Sequence, residues 1–251
     1  MRALSYAAAV AAFVAAGFVM PSAARASQTV NWTGVYVGAN VGEAINHDTG
    51  VMTCAIGGVQ YPPDCVYPAY GKMNAIGFLG GVQLGYNLQI GPLVIGPEFD
   101  YDGSTLNGSM NFNGLLCSVL GPCALHAPGQ FMASESMTSF QTERLRLGFA
   151  SGNTLIYATG GWAQANWTLS SDISEAVPPA SVPASASTQR SGWTYGLGGE
   201  WSLSQRMSVK IEGLLYTLQP YATSAPIGSE TFGKEFSFHG AVARLGFNWK
   251  I

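Results

Sequence analysis

The sequence predicts an all-β fold, an eight-stranded antiparallel up-and-down transmembrane β-barrel with short periplasmic turns and long extracellular loops. Three observations carry that prediction. The 251 residues are 47% hydrophobic but only 10% charged, and 32 of them are glycine, a balance far poorer in charge than a soluble domain carries. Long segments alternate with period 2, apolar side chains on one parity and Gly, Asn, Gln and a few charges on the other. The connections between segments alternate short and long, as they do in transmembrane barrels.

The chain opens with Arg2, an apolar run from Ala3 to Met20, then Pro21 and Ala24-Arg25-Ala26. A basic start, an apolar stretch and a small-x-small site describe a secretory signal, so residues 1–26 are expected to be removed and 27–251 to form the barrel domain. No later segment has the ~18 uninterrupted apolar residues of a membrane helix. The net charge of -3 offers no basic surface for nucleic acid.

The first strand, Thr33 to Gly42, sets Val35, Val37, Ala39 and Val41 against Gly34, Tyr36, Gly38 and Asn40. Ile76 to Gln89 and Leu93 to Asp102 follow, with Phe78, Val82, Leu84, Tyr86, Leu88, Ile95, Phe99 and Tyr101 on the lipid side. Gln141 to Phe149 sets Leu145, Leu147 and Phe149 outside, and Leu155 to Trp167 is read with Leu155, Tyr157, Ala163 and Trp167 outside. Trp193 to Leu203, Met207 to Leu218 and Phe236 to Ile251 complete the eight. About eleven residues at ~3.3 Å each, tilted ~40°, rise roughly 27 Å, which matches the apolar band of an outer-membrane barrel. The short turns fall near Ile90-Gly91-Pro92, Ser151-Gly152-Asn153 and Ser204-Gln205-Arg206, and the long gaps at residues 43–75, 103–138, 168–192 and 219–235. Lipid cannot satisfy an open sheet edge, so the last strand must meet the first. Tyr86, Tyr101, Phe149, Tyr157, Trp167, Trp193, Trp201 and Trp249 suit interfacial girdles.

By parity the lumen receives Glu98, Asp100, Asp102, Glu200 and Glu212 together with Arg144, Arg146, Lys210, Arg244 and Lys250. A narrow eight-strand lumen is filled by side chains, so these form a belt of ion pairs, with Glu98 near the level of Arg146 and Asp100 near Arg144. The competing reading is a narrow porin-like channel in which the pairs exchange and pass ions or small solutes. Cys54, Cys65, Cys117 and Cys123 lack metal-site spacing and are disulfide candidates in an oxidising compartment. Three pairings are open, and closeness in sequence favours Cys54 with Cys65 and Cys117 with Cys123.

Several runs resemble the small porin-like outer-membrane proteins of alphaproteobacteria, the opacity-type immunogenic β-barrel family related to the membrane domain of OmpA. These are Asn31-Trp-Thr-Gly-Val-Tyr-Val-Gly-Ala-Asn40, Gly77-Phe-Leu-Gly-Gly-Val-Gln-Leu-Gly-Tyr-Asn87, Leu155-Ile-Tyr-Ala-Thr-Gly-Gly161 and Gly192 to Glu200. The resemblance implies an integral protein of the Gram-negative cell outer membrane, favoured as a monomer, among lipid and lipopolysaccharide. Its role would be that of an envelope structural and surface-exposed antigenic component. The ending Arg244-x-Gly246-x-x-Trp249-x-Ile251 is similar to the signal read by the barrel-assembly machinery, with Ile251 in place of the usual Phe. Pro97 departs from a regular ladder.

No enzyme is predicted, and neither cofactor nor metal. Ser237 and His239 share one parity at the upper rim without an evident acid partner. The loop residues Met52, Tyr61, Tyr67, Tyr70, Met110, Phe112, Phe131 and Met132, with His47 and His126, make haem or a host molecule the alternative partner, which the resemblance also implies.

Overall fold

A computed structural model describes residues 30–56, 59–61, 66–67, 72–117, 126–176, 179–227 and 230–251. The expected cleavage site, Tyr70, Cys65 and Cys123 lie outside the described residues, and with the last two so does the cysteine pairing. Among the described residues twelve strands run, first β1 (Gly34–Asp48), β2 (Met52–Ile56), β3 (Val59–Tyr61), β4 (Val66–Tyr67), β5 (Met73–Ile90), β6 (Leu93–Ser104) and β7 (Asn107–Cys117). Then come β8 (His126–Ser151), β9 (Thr154–Ala176), β10 (Pro179–Ser202), β11 (Met207–Ile227) and β12 (Glu230–Lys250).

Eight of these close a ring of antiparallel ladders. β1 pairs β5, then β6, β8, β9, β10, β11 and β12 follow in turn, and β12 returns to β1 with Tyr36 opposite Lys250 and His47 opposite His239. Closure removes the sheet edge that lipid could not satisfy. Two of the periplasmic turns are two-residue hairpins whose first residue must be left-handed, and Gly91 (φ 60) and Gly152 (φ 61) supply it.

The outer face of the ring is apolar. Val37, Val41, Phe78, Val82, Leu84, Tyr86, Phe99, Tyr101, Leu145, Leu147, Phe149, Trp193, Leu197, Leu245, Phe247 and Trp249 are exposed, the signature of a lipid-facing wall. One strand reverses the sequence reading. On β9 the residues Leu155, Tyr157, Ala163 and Trp167 are buried in the lumen, and Ile156 and Trp162 face outward. Tyr157 and Trp167 therefore belong to no girdle. Both parities of β9 are apolar, so alternation alone does not choose between them. The lumen does, because Gly198, directly opposite Tyr157 on the adjoining strand β10, leaves room where an added Cβ would strike the Tyr157 ring.

The long gaps are also more regular than expected. β8 to β12 continue well past the apolar band, while β2 pairs β12 and β7 pairs β8 above it. β10 and β11 pair only up to Gly192 opposite Leu218, beyond which each stays with its outer neighbour alone. Register shifts lie between Met137 and Ser139 on β8 and between Leu218 and Tyr221 on β11. Each adds one residue and reverses the parity that faces the lumen.

Candidate functional site: the filled lumen

The lumen is packed in four levels. At the periplasmic end Trp32 is buried with Val94, Leu155 and Tyr157. Its backbone N–H donates to Gln89 Oε1 (2.8 Å), and Thr33 Oγ1 accepts from the Gln89 N–H (3.0 Å). The N-terminal segment thus folds under the ring.

At mid-height lies the charge belt. Glu98 receives Arg144 (2.6 Å), Arg146 (3.1 Å) and Lys210 (2.9 Å), and the Tyr36 hydroxyl donates to it (2.7 Å). Asp100 meets Arg144 (2.7 Å) and Arg244 (2.8 Å), and Arg244 also meets Asp102 (3.2 Å) and Glu212 (2.6 Å). Glu212 meets Arg144 at 3.0 Å, and Glu200 meets Arg146 at 2.6 Å. All nine groups are at most 4% exposed. The ladder places Glu98 opposite Arg144 rather than Arg146, with Asp100 opposite Thr142, so Arg144 meets Glu98 directly and Asp100 diagonally, and Arg146 reaches Glu98 on the diagonal.

Lys250 is not part of the belt. It is half-buried at the periplasmic rim, where Nζ donates to the Asn31 carbonyl (2.5 Å). It sits near the end of β12, six residues below Arg244, too far down the strand to reach the mid-height carboxylates. Its absence leaves five carboxylates facing four cations, a formal charge of −1 when all are ionised. Hydrogen bonds from Ser208 and from Asn248 (2.8 Å) complete the Glu200 carboxylate.

Above the belt the lumen turns apolar. Phe140, Trp167, Leu214, Tyr216, Leu218, Phe236, Phe238 and Val242 form one buried cluster, with the Trp167 and Phe238 rings 4.6 Å apart. A polar roof covers this plug. Lys234 pairs with Asp48, whose Oδ1 accepts from Ser237 N (2.9 Å) and Ser237 Oγ (3.2 Å). Glu135 accepts from Asn46 Nδ2 (2.9 Å). Parity counting stopped short of this second charge cluster because the β8 bulge lies between Glu135 and the belt.

Glu135 lies sixteen residues from the Ser151 end of β8, a rise of about 40 Å, beyond the ~25 Å apolar band. Burial pushes its carboxyl up to about 7; the Asn46 hydrogen bond opposes the shift and the Asp48 charge adds to it.

Ser237 is committed to Asp48 and the Thr49 backbone N–H, and His239 Nδ1 contacts Thr217 Oγ1 at 3.3 Å. These partners form no nucleophile–base pair. His47 Nδ1 contacts Asn74 Oδ1 at 2.7 Å. Tyr61 lies on β3, Tyr67 on β4, Met52 on β2, Phe112 on β7 and His126 at the start of β8. Phe131 is buried, Met110 is packed against the plug and Met132 is exposed. Among the described residues no group of three or more His, Cys, Asp and Glu is placed to hold a metal ion.

The profile of the outer membrane protein beta-barrel domain matches residues 9–249. The chain belongs to that family. It is 28% identical over 239 residues to the 31 kDa outer-membrane immunogenic proteins of Brucella melitensis and Brucella suis, covering 92% of this chain and 89% of each relative. Among solved structures it resembles the outer membrane protein OprG of Pseudomonas aeruginosa, with 10% identity, 88% of this chain and 98% of that chain covered, and a TM-score of 0.50. That likeness shows the fold. The protein is an integral β-barrel of the outer membrane, in contact with its lipid.

Proposed function

We propose that this family member is a closed-lumen envelope barrel, a structural component that displays its upper strands at the cell surface and has no catalytic role. The observation that carries the reading is the belt, nine ionisable side chains at most 4% exposed at mid-membrane. The aromatic plug above and Trp32 below add to it. A conduit needs groups that exchange partners with water, whereas most belt cations here are held by two or more carboxylates. The antigenic role named for the Brucella relatives fits strands that project beyond the lipid band. Recording from planar bilayers tests the reading: the purified barrel is expected to give no steady conductance, and a stable ohmic current across the whole preparation would overturn it in favour of the narrow channel.

We infer that residues 1–26 are removed, so that the outer-membrane form begins at Ser27, which N-terminal sequencing checks. Arg244, Gly246, Trp249 and Ile251 are proposed to present the final strand to the assembly machinery. Leu245, Phe247, Trp249 and Ile251 alternate outward, which supports that reading. Replacing Ile251 with Asp is expected to reduce the heat-modifiable form in the outer membrane.

A further inference from the structure

Above the lipid band the outer wall holds a cavity of about 660 Å3 that crosses β7, β8, β9 and β10. Two registered rows make its sides. Ser109, Ser134, Ser170 and Ser185 lie side by side in one row. Asn111, Met132, Asp172 and Pro183 lie side by side in the other. The row between them turns inward, with Ala133 and Ser171 buried, so its backbone forms the floor.

The chemistry of this groove is specific. Hydroxyl groups recur at the ~4.8 Å strand spacing, close to the length of one pyranose unit. Asn111 adds a planar amide able to bond vicinal hydroxyls, while Met132 and Pro183 offer apolar surface to the C–H face of a sugar ring. Among the described residues no lysine or arginine lines the cavity, which disfavours phosphate. Its volume falls in the range of small-ligand sites.

We propose that this groove binds an uncharged or amino-sugar oligosaccharide, and that its occupant is the sugar chain of lipopolysaccharide beyond its phosphorylated base. Position argues for that source. Ser134 and Met132 lie seventeen and nineteen residues from the Ser151 end of β8, about 45 Å up an outward face, where the sugars of the outer leaflet surround the barrel.

The test uses the full barrel in detergent micelles, titrated by calorimetry with lipid-free oligosaccharide released from lipopolysaccharide. Saturable binding is expected, weakened at least about tenfold, equivalent to roughly 1.4 kcal/mol, by Ser134→Phe and by Ser185→Phe. Both side chains point outward, and retained heat-modifiable mobility confirms that the variants fold. Ser187→Phe, outward on β10 but outside the groove, is expected to bind as the parent does. Absence of binding by the parent, equal binding by the groove variants, or preference for lipid A phosphate or a host-type glycan over the bacterial saccharide would each overturn the proposal.

Discussion

Replacing Glu98 with Gln sets two electrostatic effects against each other. Glu98 contacts Arg144, Arg146 and Lys210. Two of these keep other carboxylates, Arg144 at Asp100 and Glu212 and Arg146 at Glu200. The ammonium of Lys210 has Glu98 as its carboxylate partner. By total charge the substitution helps, because it takes the belt from −1 to neutral. By local pairing it leaves a fully buried ammonium facing an amide. Breaking one side of a buried pair costs about 3–5 kcal/mol, and since the amide oxygen still accepts a hydrogen bond the loss is placed near 3 kcal/mol. Restoring the match with Lys210→Met in the same chain should recover much of it, a coupling on the order of 2 kcal/mol. Urea unfolding of the parent, E98Q, K210M and the double variant in micelles, followed by tryptophan fluorescence and by gel mobility without boiling, reads this coupling. A single variant within about 0.5 kcal/mol of the parent, or a double variant no more stable than E98Q, would show that net charge and not pairing governs the belt.

Other consequences are as concrete. The Glu135 carboxyl is raised by burial to about 7 from its ordinary 4.5, so the folded state holds a proton that the unfolded chain has released. That contribution is complete below pH ~4.5 and falls by about 3 kcal/mol as pH rises to ~7. E135Q should flatten the difference in urea midpoint between pH 5 and pH 8. Trp167→Ala, at a site 1% exposed and packed on Phe238, is expected to cost about 3–5 kcal/mol in the same assay. Gly198→Val must displace the Tyr157 ring and should cost about 1–3 kcal/mol. Lys250→Ala, outside the belt, should change stability by less than about 0.5 kcal/mol.

The sequence by itself determined the ring. Val35 to Val41, Phe78 to Leu88 and Leu245 to Ile251 must face lipid because bilayer and lumen demand opposite residue types, and a period of two writes that demand into the chain. The same alternation placed Glu98, Arg144, Lys210 and Glu212 inside. Tertiary structure decided what parity could not express. The bulges at Met137 to Ser139 and Leu218 to Tyr221 reverse the inward parity where alternation ceases to be readable. Above them the strands leave lipid, so no outward apolar face is required and Ser- and Ala-rich stretches such as Ala184 to Thr188 look like loops. Alternation therefore does not mark Asp48, Lys234 and Glu135 as inward, although they are as buried as the belt. On β9 both faces are apolar, and only the space left by Gly198 on the adjoining strand sends Tyr157 inward. Lys250 shares the inward parity but lies at the rim, because parity gives a side and not a height. Height follows from strand tilt and register, which exist only once the ring has closed.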